Sequence, residues 1–235
     1  MERFIFICGC GHSGTSLLAN MFASHPEVFI PLRETETFLS AETAEAEWAN
    51  LRQEAEASGK LYLAEKTPRH IHAIDLIRDH VPGAKFVVMM RDGRDVAASF
   101  IKRFNSAERG RNRWVRDNQA VLPHLGDGDI HLQKYEDLID DPDGALREIC
   151  RFLEIGFAPE MLRFHETSRL WFGVGDGARG DGSNGIEHRK LRNWQINQPM
   201  FDGRGTWRDL LAEDDIAEFR SPPESDLLSR FGYAI

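Results

Sequence analysis

The chain has 235 residues, of which 41% are hydrophobic and 29% are charged, and its formal net charge is −9 at pH 7. This length suits a single domain with one sizeable core, and the composition is typical of a globular protein. The acidic balance argues against nucleic acid as a partner, because nucleic-acid-binding proteins usually carry a basic face. No apolar run reaches about 18 residues, so we expect no membrane span. The first residues read as a strand rather than as an export signal.

The sequence predicts strands and helices that alternate along the chain. Continuous apolar runs bounded by turn residues predict buried parallel strands, and apolar residues at helical spacing predict the helices between them. In chain order the sequence predicts a strand over residues 4–8, helices over 14–23 and 42–57, a strand ending at Glu65, a helix from Pro68 to about His80, a strand over 84–90, a helix over 94–104 capped by Asp92, a helix over 113–122, a strand over 129–135 and a helix over 142–153. This alternation predicts one α/β domain over residues 1–235, with helices on both faces of a parallel sheet.

The composition changes after residue 172. Residues 173–185 contain six glycines and no apolar face, which predicts a mobile loop. The segments TWRDLLAEDDIAEF and SDLLSRFGY then return to a helical pattern. Two basic stretches, 102–116 and 187–208, stand out in the acidic chain and indicate where a small polyanion could bind.

The three cysteines favour a reducing environment. Cys8 and Cys10 alternate at the end of one predicted strand, which suits buried thiols better than a disulfide framework. A single Cys-x-Cys pair with no second pair of ligands is a weak metal motif. We therefore expect a cytoplasmic protein without a bound metal.

The loop after the first predicted strand is built for phosphate. Residues 9–16 read GCGHSGTS, which fills every fixed position of the P-loop pattern G-x-x-x-x-G-K-[ST] except that Thr15 replaces the lysine. Glycines at positions 9, 11 and 14 let backbone N–H groups point inward at a helix start, where oriented amides and the helix dipole bind phosphate. The strand FVVMM ends in Arg91 and Asp92 rather than in a lone carboxylate for Mg²⁺. This P-loop-like sheet therefore suits a nucleotide whose reacting group is not a phosphate anhydride cut with Mg²⁺.

Several motifs carry a resemblance to a known family. GHSGTS at residues 11–16 resembles the 5′-phosphosulfate loop of the sulfotransferases that use 3′-phosphoadenosine 5′-phosphosulfate (PAPS), usually [KR]-S-G-T-[TS]. Arg91 and Ser99 in RDGRDVAAS resemble the family's 3′-phosphate motif, an arginine with a serine eight residues later. SHPEVFIPLRETETF, EKTP, YEDL and QPMFDGRGTWR resemble further family segments, so the resemblance spans residues 4 to about 210. It implies transfer of a sulfuryl group from PAPS to an acceptor hydroxyl, with 3′,5′-bisphosphoadenosine as product and no metal.

The resemblance also implies which residues bind PAPS. His12 replaces the family's usual Lys or Arg near the oxygen that bridges phosphorus and sulfur, where an imidazole N–H could stabilise developing charge. A flexible lid over about residues 173–205 is expected to cover the cofactor. The expected PAPS-binding residues are Gly11, His12, Ser13, Gly14, Thr15 and Ser16 at the 5′-phosphosulfate, Arg91 and Ser99 at the 3′-phosphate, Tyr135 near the adenine, and Arg189, Lys190 and Arg204 in the lid.

The same resemblance assigns the transfer step. Lys66 in EKTP matches the family's active-site lysine, and Glu34 in RETETF matches the general base of the glycan and tyrosylprotein branches. Pro68 stands where the cytosolic small-molecule branch has its histidine base, and His70 is the reserve candidate. Glu65 is expected to be a structural partner of this segment. With His12, these residues form the expected catalytic set.

The sequence leaves more than one acceptor and more than one reaction class open. The expected acceptor is a small molecule or a glycan, with a carbohydrate hydroxyl slightly favoured and a lipid or secondary metabolite left open. A tyrosyl protein is less expected, because the expected location is cytoplasmic. A P-loop kinase is a second reading, opposed by the missing lysine and by the lack of a clear carboxylate for Mg²⁺. A catalytically idle nucleotide-binding module is a third, because His12 replaces the usual cation.

Overall fold

The computed structural model describes residues 1–171, 178–182 and 185–235. Five parallel strands form one sheet in the order β2-β3-β1-β4-β5. They are β1 (Arg3–Gly9), β2 (Val28–Phe29), β3 (Tyr62–Lys66), β4 (Ala84–Met90) and β5 (Ile130–Lys134). The predicted α/β class and the parallel sheet are thereby confirmed.

Helices follow the strands along the chain. Short 3-10 helices cover Pro68–His72, Leu122–His124 and Pro159–Glu166. The α-helices are α1 (Thr15–Phe22), α2 (Ala41–Ala57), α3 (Ile74–His80), α4 (Gly93–Phe104), α5 (Ala107–Val121), α6 (Tyr135–Asp140), α7 (Pro142–Leu153), α8 (Gly185–Ile196), α9 (Trp207–Leu210), α10 (Glu213–Glu218) and α11 (Glu224–Arg230). Among the described residues, no helix combines the length and apolar character that crossing a membrane requires.

The central strand β1 contributes to a core on each side of the sheet. Phe6 and Cys8 belong to one buried cluster, which includes apolar residues of α2, α3 and α5. Ile5 and Ile7 belong to the other, which includes residues of α1, α6 and α7. Successive side chains of a strand point to opposite faces, so a strand buried on both faces is apolar at every position. This explains why continuous apolar runs predicted the strands.

Two predicted helices and the predicted lid differ from the structure. The predicted helix from Pro68 to His80 divides into a 3-10 helix and α3, because Ala73 has φ −123° and ψ 17°. The predicted helix over 113–122 begins earlier, at Ala107, where Ser106 accepts a hydrogen bond from the backbone N–H of Arg109. Within the stretch 173–205 predicted as a lid, α8 is helical, whereas residues 173–177, 183 and 184 lie outside the described residues.

The parallel strands place their carboxyl ends at one edge of the sheet. Residues 10–14 follow β1, Lys66 ends β3, Arg91 follows β4, and Tyr135 follows β5. In open parallel sheets, ligands bind beyond these carboxyl ends. The fold therefore collects the predicted site residues from four strands at a single edge.

Candidate active site

The loop between β1 and α1 has two positions where only glycine fits without strain. Gly9 has φ +135°, and a Cβ there would lie 2.4 Å from the carbonyl oxygen of Met89. Gly14 has φ +91°, and a Cβ there would lie 2.8 Å from Cδ2 of Tyr135. Gly14 is also the N-cap of α1 and offers no side-chain acceptor to the first turn. The backbone N–H groups at this helix start are thus oriented for an anion.

His12 connects this loop with the segment after β4. Its φ is 71°, an uncommon value for a residue other than glycine. Nδ1 of His12 lies 2.7 Å from Oγ of Ser99 in α4. Nη1 of Arg91 donates a hydrogen bond of 3.0 Å to the carbonyl oxygen of His12. The structure therefore brings the two predicted phosphate motifs into direct contact.

Arg91 is fixed from several directions. Its carbonyl oxygen accepts a hydrogen bond from Nε1 of Trp114 at 2.9 Å, and its Nη2 donates to the carbonyl oxygen of Gly203 at 2.5 Å. Its Cζ lies 4.5 Å from the ring centroid of Tyr135, within the range of a cation–π interaction. Its Nε is buried and has no hydrogen-bond partner among the described residues. Since an unpaired buried donor is costly, this guanidinium fits an anionic ligand.

The segment after α8 closes over the end of the sheet. The hydroxyl of Tyr135 donates to the carbonyl oxygen of Phe201 at 3.1 Å and accepts from the backbone N–H of Gly203 at 3.2 Å. Asp95 in α4 is 2% exposed and accepts a hydrogen bond from the backbone N–H of Gly205 at 2.8 Å. These bonds hold residues 201–205 against Arg91.

A cavity of about 380 Å³ lies between these elements. Its charged lining among the described residues includes Arg91, Lys102 and Arg192, but only one carboxylate, that of Asp202. The cavity is thus suited to an anion that reaches both the start of α1 and the Arg91–Ser99 pair. The predicted residues that line it are His12, Gly14, Thr15, Ser16, Arg91, Ser99 and Tyr135.

Lys66 and Glu34 form an ion pair at the same edge of the sheet. Nζ of Lys66 lies 2.7 Å from Oε1 of Glu34. The Lys66 side chain is fully buried, whereas that of Glu34 is 35% exposed. A buried ammonium requires a charged or polar partner, which Glu34 supplies. Nζ of Lys66 also lies 5.7 Å from the ring centroid of Trp171. Two of the predicted catalytic residues are therefore in contact, and the Glu34 carboxylate is partly exposed.

Two arginines extend the positive charge around Glu34. Burial lowers the pKa of Arg192, the like charge of Arg103 lowers it further, and the carboxylate of Glu34 opposes both effects. Burial also lowers the pKa of Arg103, and Glu34 again opposes the shift. Since Arg192 also lines the cavity, it links the phosphate side of the site electrostatically to the Glu34–Lys66 pair.

Glu65, which precedes Lys66 in β3, is the centre of a buried polar network. Its Oε1 accepts hydrogen bonds from the hydroxyl of Thr35 at 2.8 Å and the hydroxyl of Thr67 at 2.7 Å. Its Oε2 lies 2.8 Å from Nδ1 of His70. Burial raises the pKa of Glu65, but the interaction with His70 and the hydrogen bonds from His70, Thr67 and Thr35 outweigh it, so the pKa lies below its ordinary value. Glu65 is thus an ionised carboxylate surrounded by donors.

Several predicted residues are not brought to the cavity. Arg204 pairs with Asp140 and Asp202, and Lys190 pairs with Glu187. Arg189 is exposed. None of these three lid residues is part of the described cavity lining. Their role toward the cofactor stays a prediction.

Five further predicted residues also lie outside the lining, and two of them are Glu34 and Lys66, which form their own ion pair. Gly11 and Ser13 belong to the phosphate loop but do not line the cavity, and the Ser13 side chain is fully buried. His70, the reserve base, is fully buried within the Glu65 network.

The structure adds functional candidates that the sequence analysis did not name. Arg192, Gln195 and Ile196 line the cavity from α8, at the i, i+3 and i+4 spacing of one helix face. Lys102 lines it from α4. The two basic stretches contain Arg192 and Lys102, so a signal existed for the segments. Arg189 lies one turn earlier on the same side of α8 and is exposed, so the position along the helix, rather than the face, separates it from Arg192.

Comparisons with known proteins identify the family of this chain. The model of the sulfotransferase family matches residues 34–159, more than half of the chain. Protein-tyrosine sulfotransferase A of Caenorhabditis elegans is 24% identical, over 98% of this chain and 67% of that protein.

Solved structures share the fold. The sulfotransferase domain of the Synechococcus PCC 7002 olefin synthase has a TM-score of 0.64 at 19% identity, covering 100% of this chain and 97% of that domain. A mouse sulfotransferase crystallised with PAP has a TM-score of 0.63 at 16% identity, covering 98% of this chain and 84% of that one. The family match, the shared fold and the motifs in one cavity lead to one conclusion: the chain belongs to the sulfotransferase family.

Proposed function

We propose that this sulfotransferase moves the sulfuryl group of PAPS to an acceptor hydroxyl and leaves 3′,5′-bisphosphoadenosine. The observation that carries the proposal is one cavity, lined mainly by cations among its charged residues, that joins the start of α1 to Arg91 and Ser99. A donor with a phosphosulfate at one end and a 3′-phosphate at the other matches these two anion-binding positions. The mouse structural neighbour that was crystallised with PAP supports a ligand of this chemistry.

The chain's own groups divide between the two ends of the donor. The first-turn N–H groups of α1 and the hydroxyls of Thr15 and Ser16 would bind the phosphosulfate. Arg91 and Ser99 would bind the 3′-phosphate through charge-assisted hydrogen bonds. Nε of Arg91, which has no partner among the described residues, would gain one there. Tyr135 packs against Arg91 and Gly203 and would limit the space for the adenine.

Glu34 would act as general base in the transfer. Its partly exposed carboxylate accepts the proton of the acceptor hydroxyl as that oxygen forms its bond to sulfur. The bond between sulfur and the bridging oxygen breaks, and the electron pair remains on the 5′-phosphate. Lys66 and His12 would stabilise the charge that develops around the transferring group. No metal is needed in this scheme, and no cluster of three or more metal-ligating side chains occurs in the described ranges.

Two acceptor classes have support. The motifs of the glycan branch favour a carbohydrate hydroxyl slightly. The relative named protein-tyrosine sulfotransferase favours the phenol of tyrosine. Because Arg103 and Arg192 surround Glu34 with positive charge, either acceptor would bind better when it carries acidic groups near its hydroxyl.

Calorimetry and an acceptor panel test the proposal. 3′,5′-Bisphosphoadenosine should bind at least about 100-fold more tightly than AMP, since each charge-assisted hydrogen bond contributes about 1.5–3 kcal/mol. Equal affinity for the two ligands would refute the donor assignment. Labelled PAPS should then transfer label to a tyrosine peptide or an oligosaccharide. Tight product binding with no transfer to either would favour an idle nucleotide-binding module, and Mg²⁺-dependent ATP binding would favour a kinase.

The cytoplasm is the location we propose for this reaction. Cys8, Cys10 and Cys150 are buried and form no disulfide among the described residues, which supports this location. Burial raises the pKa of Cys150 to about 11, so this thiol stays protonated near neutral pH. Unpaired, unreactive thiols of this kind are common in reducing compartments.

A further inference from the structure

The loop that carries Glu34 is tied to the carboxyl end of β3. Oε1 of Glu65 accepts a hydrogen bond from the backbone N–H of Thr35 at 3.2 Å, in addition to the bond from the Thr35 hydroxyl. Oγ1 of Thr67 accepts from the backbone N–H of Glu36 at 3.2 Å. Thr35 is the neighbour of Glu34 in the chain, and Lys66 lies between Glu65 and Thr67. Glu34 and Lys66 are therefore each adjacent in sequence to residues of this network.

His70 completes the attachment of the loop. Its Nε2 accepts a hydrogen bond from the backbone N–H of Phe38 at 3.3 Å. Nδ1 of His70 lies 2.8 Å from Oε2 of Glu65. In the neutral ring, the hydrogen bond that Nε2 accepts leaves the proton on Nδ1, on the side of Glu65. His70 thus connects Glu65 with Phe38.

The attached loop contains a strained residue. Glu36 has φ +56°, a left-handed conformation that a residue with a side chain adopts at a cost. Such a residue persists only where surrounding bonds determine the backbone. Those bonds come from Glu65, Thr67 and His70, which are all at most 1% exposed.

We propose that Glu65, together with His70, is a positioning residue that fixes Glu34 against Lys66. This proposal rests on the proposed role of Glu34 as general base. Alternation along β3 places the side chains of Glu65 and Lys66 on opposite faces, so Glu65 does not touch the reacting groups. It acts through the loop of residues 34–38, which it holds in the conformation that brings the Glu34 carboxylate to Lys66.

Glu65→Gln removes the property on which the network depends. Three donors bind Oε1 of Glu65, namely the N–H and hydroxyl of Thr35 and the hydroxyl of Thr67, and Nδ1 of His70 lies 2.8 Å from Oε2. A glutamine amide has one oxygen and an NH₂ group, so it must oppose a donor to at least one of them. The loop would then lose one of its attachments while the side-chain volume stays nearly the same.

A double-mutant cycle with Glu34→Gln tests the proposal. Labelled PAPS is supplied with a tyrosine peptide, an oligosaccharide or water as the sulfuryl acceptor, and kcat, KM and the Kd of 3′,5′-bisphosphoadenosine are measured. Glu65→Gln should lower kcat about 10- to 100-fold and leave that Kd within about twofold, because the phosphate-binding residues lie on other elements. The double variant should be no more than about threefold slower than Glu34→Gln alone, since coupled residues are not additive.

A more conservative variant and a matched control distinguish loss of positioning from misfolding. Thr35→Val keeps the shape of the side chain and removes only the hydrogen bonds of the hydroxyl, while the backbone N–H can still bind Glu65. It should lower kcat about three- to tenfold with the same coupling to Glu34→Gln. Glu224→Gln removes another buried carboxylate, 6% exposed and 3.4 Å from Nη1 of Arg111, and should leave kcat within about twofold.

The possible outcomes distinguish the role of Glu34 as general base from the positioning role of Glu65. Full activity of Glu34→Gln would refute the general base itself. Loss in Glu34→Gln that multiplies with the loss in Glu65→Gln would overturn the positioning role and leave the base in place. Wild-type kcat in Thr35→Val, or a bisphosphate Kd in Glu65→Gln that rises as much as kcat falls, would overturn it as well.

Discussion

The phosphate-binding side and the base side of this site are assembled differently. On the phosphate side, Gly14 ends one loop and Ser16 lies in the first turn of α1, and Arg91 and Ser99 lie within one turn and the helix after it. These two local motifs then meet through the contact of His12 with Ser99 across 87 positions. On the base side, Glu34 meets Lys66 across 32 positions of sequence, and Thr35 meets Glu65 across 30. Local backbone geometry therefore forms each phosphate motif, whereas the base side has no local motif and depends on tertiary hydrogen bonds. Damage to the first should therefore affect affinity, and damage to the second should affect turnover.

The largest effect on the phosphate side is expected from Arg91→Ala. The change removes the guanidinium that contacts the His12 carbonyl and lines the cavity. We expect affinity for 3′,5′-bisphosphoadenosine to fall at least about 100-fold in calorimetry, because two charge-assisted bonds of about 1.5–3 kcal/mol each are lost. Arg94→Ala is the matched control, since Arg94 pairs with Asp92 and does not line the cavity. If the two variants bind equally well, Arg91 has no special role at the 3′-phosphate.

Gly14→Ala tests whether backbone geometry specifies the loop. The new Cβ would meet Tyr135 at 2.8 Å in a residue with φ +91°, so the loop must shift. We expect a loss of about 1–3 kcal/mol in the free energy of unfolding, measured by denaturant titration, and bisphosphate affinity lower by about 30-fold. Gly11→Ala is the control for stability, because its Cβ would meet no atom within 4 Å. Equal stability of the two variants would contradict the argument.

Arg192→Gln tests the residue that connects the phosphate side with the base side. Arg192 lines the cavity and interacts electrostatically with Glu34, so its loss should reduce kcat/KM about tenfold. Arg189→Gln, one turn away on the exposed part of α8, should stay within about twofold of wild type. A larger loss in Arg189→Gln than in Arg192→Gln would restore the expectation made from the sequence for Arg189.

Part of the fold and of the site could be predicted from the sequence. The strand over 84–90 and the helix over 142–153 were predicted at their observed bounds, because apolar periodicity and an N-terminal proline are local signals. His12, Arg91 and Ser99 were predicted as one site and do meet. Glu65 was expected only as a structural partner, because its bonds to Thr35 and His70 follow from tertiary packing. Arg192 was missed for a related reason, since a run of basic residues does not reveal which of them reaches the cavity.

A small effect is expected on how the free energy of unfolding depends on pH, through Glu65. The pKa of Glu65 is lower in the folded protein than in the unfolded chain, so the unfolded chain binds more protons as the pH falls below the usual glutamate value of about 4.3. The stability that Glu65 contributes is therefore present above that pH and is lost as the pH falls toward the folded pKa. Glu65→Gln should make the fall in unfolding free energy between about pH 5 and pH 3 shallower, measured by denaturant titration at each pH. Glu224→Gln removes one buried carboxylate elsewhere and provides the reference slope. A slope for Glu65→Gln as steep as that of wild type would show that the donors around Glu65 do not favour its ionised form, and the hydrogen bonds that hold the loop of Glu34 would lose their electrostatic basis.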